Sequence, residues 1–225
     1  MPCRAVIFDL DGTLLNTLED LAASTNAALA AFSMPLRTVD EVRRMVGNGI
    51  GKLIARAVPA DTDEQTAARV LEAFKTHYAA HALDRTALYP QAVVALEGLK
   101  RVGIPCAVVS NKADFAVQTL HETFFRGLVT ASFGERPGYA RKPDPALTLL
   151  ALSELGVPRE EAVYVGDSDV DAVTAKNAGM PGILVDWGFR PRSLLETFGL
   201  PVVSTGEALL EALRNAADHR KDAHL

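Results

Sequence analysis

The chain is poor in cysteine and in aromatic surface, and it has no surplus of positive charge. Among 225 residues only Cys3 and Cys106 are cysteines, and neither belongs to a Cys-x-x-Cys pair. That excludes a disulfide framework and a thiolate zinc site, and reads both as small hydrophobes of a reducing compartment. Aromatics make up 6%, with a single tryptophan, Trp187. Lysine and arginine total 23 against 28 aspartate and glutamate, a formal charge of -5. A nucleic-acid binder would carry the opposite balance. No apolar run approaches the roughly 18 residues of a membrane span. Met1-Pro2-Cys3-Arg4 leads directly into a strand-like segment, so no signal peptide is expected. These absences point to a cytoplasmic protein with neither nucleic-acid nor membrane partner, acting on something small.

What is present is an ordinary globular mixture, 48% hydrophobic and 23% charged, which excludes a disordered or fibrous chain. At roughly 150 residues per domain, the length suits one domain with a large insertion or two small ones. Ala5-Val6-Ile7-Phe8 is a short apolar run of the kind buried in a parallel sheet. Similar runs recur at Ile104–Val109, Leu128–Phe133, Ala162–Val165, Gly182–Val185 and Pro201–Val203. Between most of them lie helical stretches. Val94–Arg101 ends before Gly103, Pro145–Leu155 follows Asp144 as N-cap and stops at Gly156, and Val170–Ala178 closes at Gly179. A final helix is expected over Glu207–Ala217, then a frayed polar tail from Asp218 to Leu225. The alternation predicts an α/β fold, a Rossmann-like parallel sheet with helices on both faces.

One stretch departs from that alternation. From Thr17 to His81 the pattern is helical only, over Leu18–Ala31, Thr38–Val46, Gly49–Ala57 and Asp63–Ala82. It reads as a small helical domain, residues 17–83, inserted after the first strand into a core of residues 1–16 and 84–225.

The chemistry-bearing residues gather at predicted strand ends, where open α/β sheets place ligands. Strand one runs into Asp9-Leu10-Asp11-Gly12-Thr13. Period-two alternation would set Asp9 and Asp11 on one side, where two carboxylates need a cation or a shared proton. A calcium loop fails, because Leu14 and Asp20 stand where its turn glycine and twelfth-position glutamate belong. Ser110-Asn111-Lys112 offers a hydroxyl, an amide and main-chain N–H groups where a helix is expected to begin, an anion site or simply a cap. Lys142 precedes another helix start, which suits an intervening anion. Gly166-Asp167-Ser168-Asp169-Val170-Asp171 carries three aspartates; Ser168 and Asp171 fit a capping box, but Asp167 is left unexplained by it.

Aspartates, then hydroxyl and amide, then lysine, then aspartates, in that order, resemble the haloacid dehalogenase-like hydrolase superfamily. The Asp-x-Asp-x-Thr motif is Asp9 to Thr13, and the likeness extends from Ala5 to at least Trp187. The inserted helices take the place of that superfamily's cap. The resemblance implies Asp9 as nucleophile forming an aspartyl-phosphate, and Asp11 as the acid and base for leaving alcohol and water. It implies Mg²⁺ held by Asp9, the Asp11 main-chain carbonyl and Asp167, with Lys142 adding positive charge. Thr13, Ser110 and Asn111 would grip the phosphoryl group, and Asp171 would orient a metal-bound water or Lys142.

Within the insert, Val46-Gly47-Asn48-Gly49-Ile50-Gly51-Lys52 followed by Arg56 resembles the cap segment of phosphoglycolate phosphatases. Asn48 and Gly49 would approach the substrate, and Lys52 and Arg56, four apart, would meet its carboxylate; two solvated cations on a helix start are the plain alternative. The expected activity is hydrolysis of a small phosphorylated metabolite, 2-phosphoglycolate first. A sugar-phosphate phosphatase or mutase, or a non-catalytic phosphate-sensing module, are the competing readings. His77 and His81 have zinc-compatible spacing without a third ligand, and are read as a helix face. Trp187 fits equally beside the pocket or in packing.

Overall fold

In the computed structural model, residues 3–216 are described; Ala217 and the tail expected from Asp218 to Leu225 lie outside them. The chain divides into two compact units, with boundaries after Leu14 and after Ala87. The elements begin with β1 (Ala5–Phe8), β2 (Leu15–Asn16), α1 (Leu18–Ala31), α2 (Val39–Met45), α3 (Ile50–Ala57) and α4 (Glu64–His81). Then follow β3 (Ala87–Leu88), α5 (Pro90–Arg101), β4 (Cys106–Ala113), α6 (Asp114–Leu120), β5 (Ala131–Glu135) and α7 (Ala146–Leu155). The last are β6 (Ala162–Gly166), α8 (Asp169–Ala178), β7 (Gly182–Val185), α9 (Arg192–Leu195), β8 (Val202–Val203) and α10 (Gly206–Ala216).

The first unit is an α/β core. Its six strands run in the order β5-β4-β1-β6-β7-β8, each pair parallel. Ile7 lies opposite Ala107 on one side and Tyr164 on the other. Ile7, Val109 and Tyr164 pack with Leu147, Ala151 and Leu152 of α7 and with Ala175 and Ala178 of α8. Val6, Phe8, Val108 and Val163, one residue out of phase, are buried as completely, as a sheet covered on both faces requires. Cys106 is buried and Cys3 half-buried, both free, and burial pushes their thiols up to about 12 and about 11.

Two strands differ most from the sequence expectation. β4 does not end at Val109 but continues through Ser110, Asn111 and Lys112, with Ala113 paired to Glu135 past a register irregularity. β5 starts at Ala131, because the N–H groups of Leu128 and Val129 close a turn onto the Phe125 carbonyl. Helix ends follow their glycines: Gly156 and Gly179 take φ +64 and +68 after α7 and α8, the left-handed geometry that closes a helix without a Cβ clash. α7 starts at Ala146, one residue later than expected, and Asp144 still accepts from the Ala146 N–H at 2.9 Å.

The second unit is helical. α4 buries Val70, Phe74 and Tyr78, four apart on one face, and packs chiefly on α1. Thr38 and Glu41 form a capping box at α2, and Asp63 caps α4 through the Thr66 N–H. Buried Asp20 accepts from the N–H groups of Arg85 and Thr86 and from the Thr86 hydroxyl, tying the returning segment to α1. The His77 ring meets Ser24 Oγ at 3.0 Å and stacks on His81. Two histidines held by packing and hydrogen bonds are consistent with the helix-face reading.

Candidate active site

β1 stops at Phe8, and the chain turns at once: the Leu14 N–H reaches the Leu10 carbonyl at 3.0 Å and Gly12 sits at φ +92. Strand alternation therefore never extends to Asp11, and the two carboxylates take different side-chain partners. Asp9 accepts from Lys142 Nζ at 2.6 Å. Asp11 accepts from Lys112 Nζ at 2.9 and 3.1 Å. Each of the two carboxylates has its own lysine. Lys112 was missed by sequence reasoning; its signal was a lysine in a continuing buried strand, where an ammonium requires a counter-charge.

Lys142 is the hub of the cluster. Its three N–H donors go to Asp9 Oδ1, to Asp171 Oδ1 at 2.8 Å and to the Tyr164 hydroxyl at 3.0 Å, the full donor capacity of an ammonium. Tyr164 in turn donates to Asp171 Oδ1 at 3.2 Å. Asp171 Oδ2 accepts from the Ser168 N–H at 3.1 Å and hydroxyl at 2.6 Å, while Ser168 Oγ caps α8. The capping box and the site are thus one structure. Tyr164 was not singled out from sequence, although a phenol in an apolar buried strand calls for a polar partner.

Asn111 holds Lys142 by its main chain. Its Oδ1 accepts from the Lys142 N–H at 2.8 Å and its Nδ2 donates to the Lys142 carbonyl at 3.1 Å. The side-chain amide holds the lysine's main chain through Oδ1 and one Nδ2 hydrogen, and with β4 running on past it, it caps no helix. Thr13 likewise donates to Asp167 Oδ1 at 3.1 Å. Ser110 Oγ accepts from the Lys112 N–H at 3.2 Å, leaving its own proton for an anion.

Asp167 lies within 4.8 Å of both Asp9 and Asp171, measured between one carboxylate oxygen of each. Three buried carboxylates against one ammonium leave excess negative charge. Burial first, then the Asp171 charge, pushes the Asp9 carboxyl up to about 7 despite Lys142. Burial, then Asp171 and Asp9, hold Asp167 well above the usual carboxylate range. Burial opposes the Lys142 charge, but Asp171 and Asp9 outweigh it and raise its pKa further. Hard oxygen donors with uncompensated charge fit a hard divalent cation such as Mg²⁺. The Asp11 side chain is outside this cluster; only its main-chain carbonyl was expected to serve the metal.

Residues 6–185 match the family of haloacid dehalogenase-like hydrolases. The chain belongs to that family. It is a hydrolase of the phosphoglycolate phosphatase-like branch. A phosphoglycolate phosphatase from Rhodospirillum rubrum is 37% identical over 196 residues, 83% of this chain and 80% of the relative. A crystal structure from Lactobacillus delbrueckii subsp. bulgaricus, of a protein inferred to be a phosphoglycolate phosphatase, has a TM-score of 0.90 at 35% identity. It covers 95% of this chain and 99% of that one. CbbY from Rhodobacter sphaeroides, solved with xylulose-(1,5)bisphosphate, has a TM-score of 0.70 at 27% identity, covering 91% and 95%.

The remaining expected residues of this hydrolase lie in its helical unit. Gly49 precedes α3 at φ +81 and its carbonyl accepts the Leu53 N–H. Lys52 is exposed. Arg56 donates to the Met45 carbonyl at 2.6 Å, so it also ties α3 to the end of α2.

Proposed function

We propose that this hydrolase is a Mg²⁺-dependent phosphatase that cleaves a small phosphomonoester, most favourably 2-phosphoglycolate, through an aspartyl-phosphate on Asp9. The observation that carries this reading is the pairing of two aspartates with two different lysines at one strand end. It allows the carboxylates to play different parts. An Asp9 oxygen forms a bond to phosphorus while the ester P–O bond breaks, and Asp11 gives its proton to the leaving alkoxide. Asp11 then takes a proton from water as that water displaces Asp9 and releases inorganic phosphate. Lys142 fixes the Asp9 carboxylate, and Asp171 with Tyr164 fixes Lys142. Mg²⁺ held by Asp9, Asp167 and the Asp11 carbonyl would supply the charge that offsets a phosphate dianion's repulsion. Ser110 is the hydroxyl best suited to a phosphoryl oxygen.

Residues 17–83 act in this reading as the cap that recognises the rest of the substrate through Asn48, Gly49, Lys52 and Arg56. Phosphoglycolate is favoured by the named relatives and by these two cations. The CbbY complex keeps a sugar-phosphate phosphatase or mutase as the second reading. A panel of phosphorylated metabolites decides between them by kcat/KM. Asp9→Asn should abolish turnover with the fold intact; substantial residual activity would overturn the covalent route. Arg56→Ala, and less so Lys52→Ala, should lower kcat/KM for phosphoglycolate about tenfold to a hundredfold more than for an aryl phosphate. Equal losses on both substrates would remove the carboxylate contact.

A further inference from the structure

The segment after β7, Trp187-Gly188-Phe189, reaches the site at three points. The Trp187 indole N–H donates to the Thr13 main-chain carbonyl at 3.0 Å. The Phe189 N–H donates to Asp167 Oδ2 at 2.7 Å. Between them, a Cβ on Gly188 would overlap both the Asp167 side chain and the Gly12 carbonyl. The other Asp167 oxygen takes the Thr13 hydroxyl, and Thr13 is the residue that Trp187 holds. Both oxygens of one carboxylate are therefore aimed by a single strap, once directly and once through Thr13. The sheet does not need these bonds, since the β7–β8 pairing at Leu184 and Val185 precedes them.

We infer that Trp187–Phe189 is a positioning strap that orients Asp167 for its cation, and that Trp187 senses occupancy of the site. The inference rests on the reading of Asp167 as a Mg²⁺ ligand. Groups that orient a ligating carboxylate typically change metal affinity by about 10- to 100-fold when removed. Trp187 is the chain's single tryptophan, so tryptophan emission, excited selectively over the four tyrosines, reports this position alone.

The test is Mg²⁺ binding to the full-length protein, followed by calorimetry and by tryptophan fluorescence. In the wild type, emission should change saturably with the calorimetric Kd. Gly188→Ala should raise that Kd about 10- to 100-fold, because the added methyl displaces Asp167. Trp187→Phe, which keeps a ring but loses the donor, should raise the calorimetric Kd about tenfold, and its kcat should recover at high Mg²⁺. Should Gly188→Ala fail to fold, Trp187→Phe decides alone. A merely structural role would lower the melting temperature and leave Kd in place. Unchanged Kd in the strap variants, with binding abolished in Asp167→Asn, would overturn the strap and leave the cation reading standing. Unchanged binding in Asp167→Asn would overturn the cation reading, and the strap with it.

Discussion

Asp9 shows how a residue proposed for the chemistry can be costly to the fold. Its carboxyl is raised from 3.8 to about 7, by burial first and then by Asp171, with Lys142 opposing. The sign of the consequence is fixed by proton linkage. Below about pH 4 the group is protonated whether the chain is folded or not. Between about pH 4 and about pH 7 the folded protein keeps a proton that the unfolded chain has released, so stability falls as pH rises. The slope from this group is at most about 1.4 kcal/mol per pH unit, and Asp167 adds in the same direction. Protein stripped with EDTA should therefore melt lower at pH 8 than at pH 5, and Asp9→Asn should flatten that dependence. A steeper fall in Asp9→Asn would contradict the origin assigned here. The two aspartates themselves were legible in the sequence. Their separation was not, because it depends on the turn at Leu10–Leu14 and on Lys112, 101 residues away.

At the scale of elements, β4 and α8 deliver the support for Lys142. Asn111 satisfies two buried main-chain groups of Lys142, and leaving such groups without partners costs about 1–3 kcal/mol each. Ser168 caps α8, and replacing such a cap by alanine costs about 0.5–2 kcal/mol. Asn111→Ala should accordingly lose more stability than Ser168→Ala in urea denaturation, and both should lower kcat by loosening Lys142. The reverse ranking would mean that the clamp is solvated rather than sealed. Helix ends were readable from glycine and capping residues because those signals are local. The continuation of β4 was not readable, since Ser110-Asn111-Lys112 has turn-like composition and forms the irregular stretch between the Val109–Phe133 and Ala113–Glu135 pairs with β5.

For the whole molecule, strand order explains where the site lies. β1 lies between β4 and β6, and within this sheet the chain leaves β1 towards β4 but leaves β6 towards β7, so the connections diverge at the carboxyl ends of these two neighbouring strands, where such sheets place their crevice. Asp9, Ser110 and Asp167 arrive there from three adjacent strands, and Lys142 from the connection between β5 and α7. A cation bound there couples to global stability: at a hundred times its Kd, a ligand of the folded state adds about 2.7 kcal/mol. Mg²⁺ should raise the melting temperature of the EDTA-treated protein by roughly 5–10 °C, and Asp167→Asn should abolish the increment. An equal increment in both proteins would place the cation elsewhere.

The alternation of apolar strands and capped helices, the helical stretch after the first strand and the order of the motif clusters were determined by sequence alone. They follow from the 2.0 and 3.6 periodicities and from residues that act within a turn of themselves. Only the tertiary structure decided which lysine serves which aspartate, that Asn111 clamps Lys142, and that Tyr164 completes the lysine's shell. The same holds for the Phe189 N–H on Asp167. A main-chain donor is the same in every residue but proline and leaves no mark in composition. The Lys142–Asp9 pair spans 133 positions, and its existence depends on the sheet register and the path of the connecting loops.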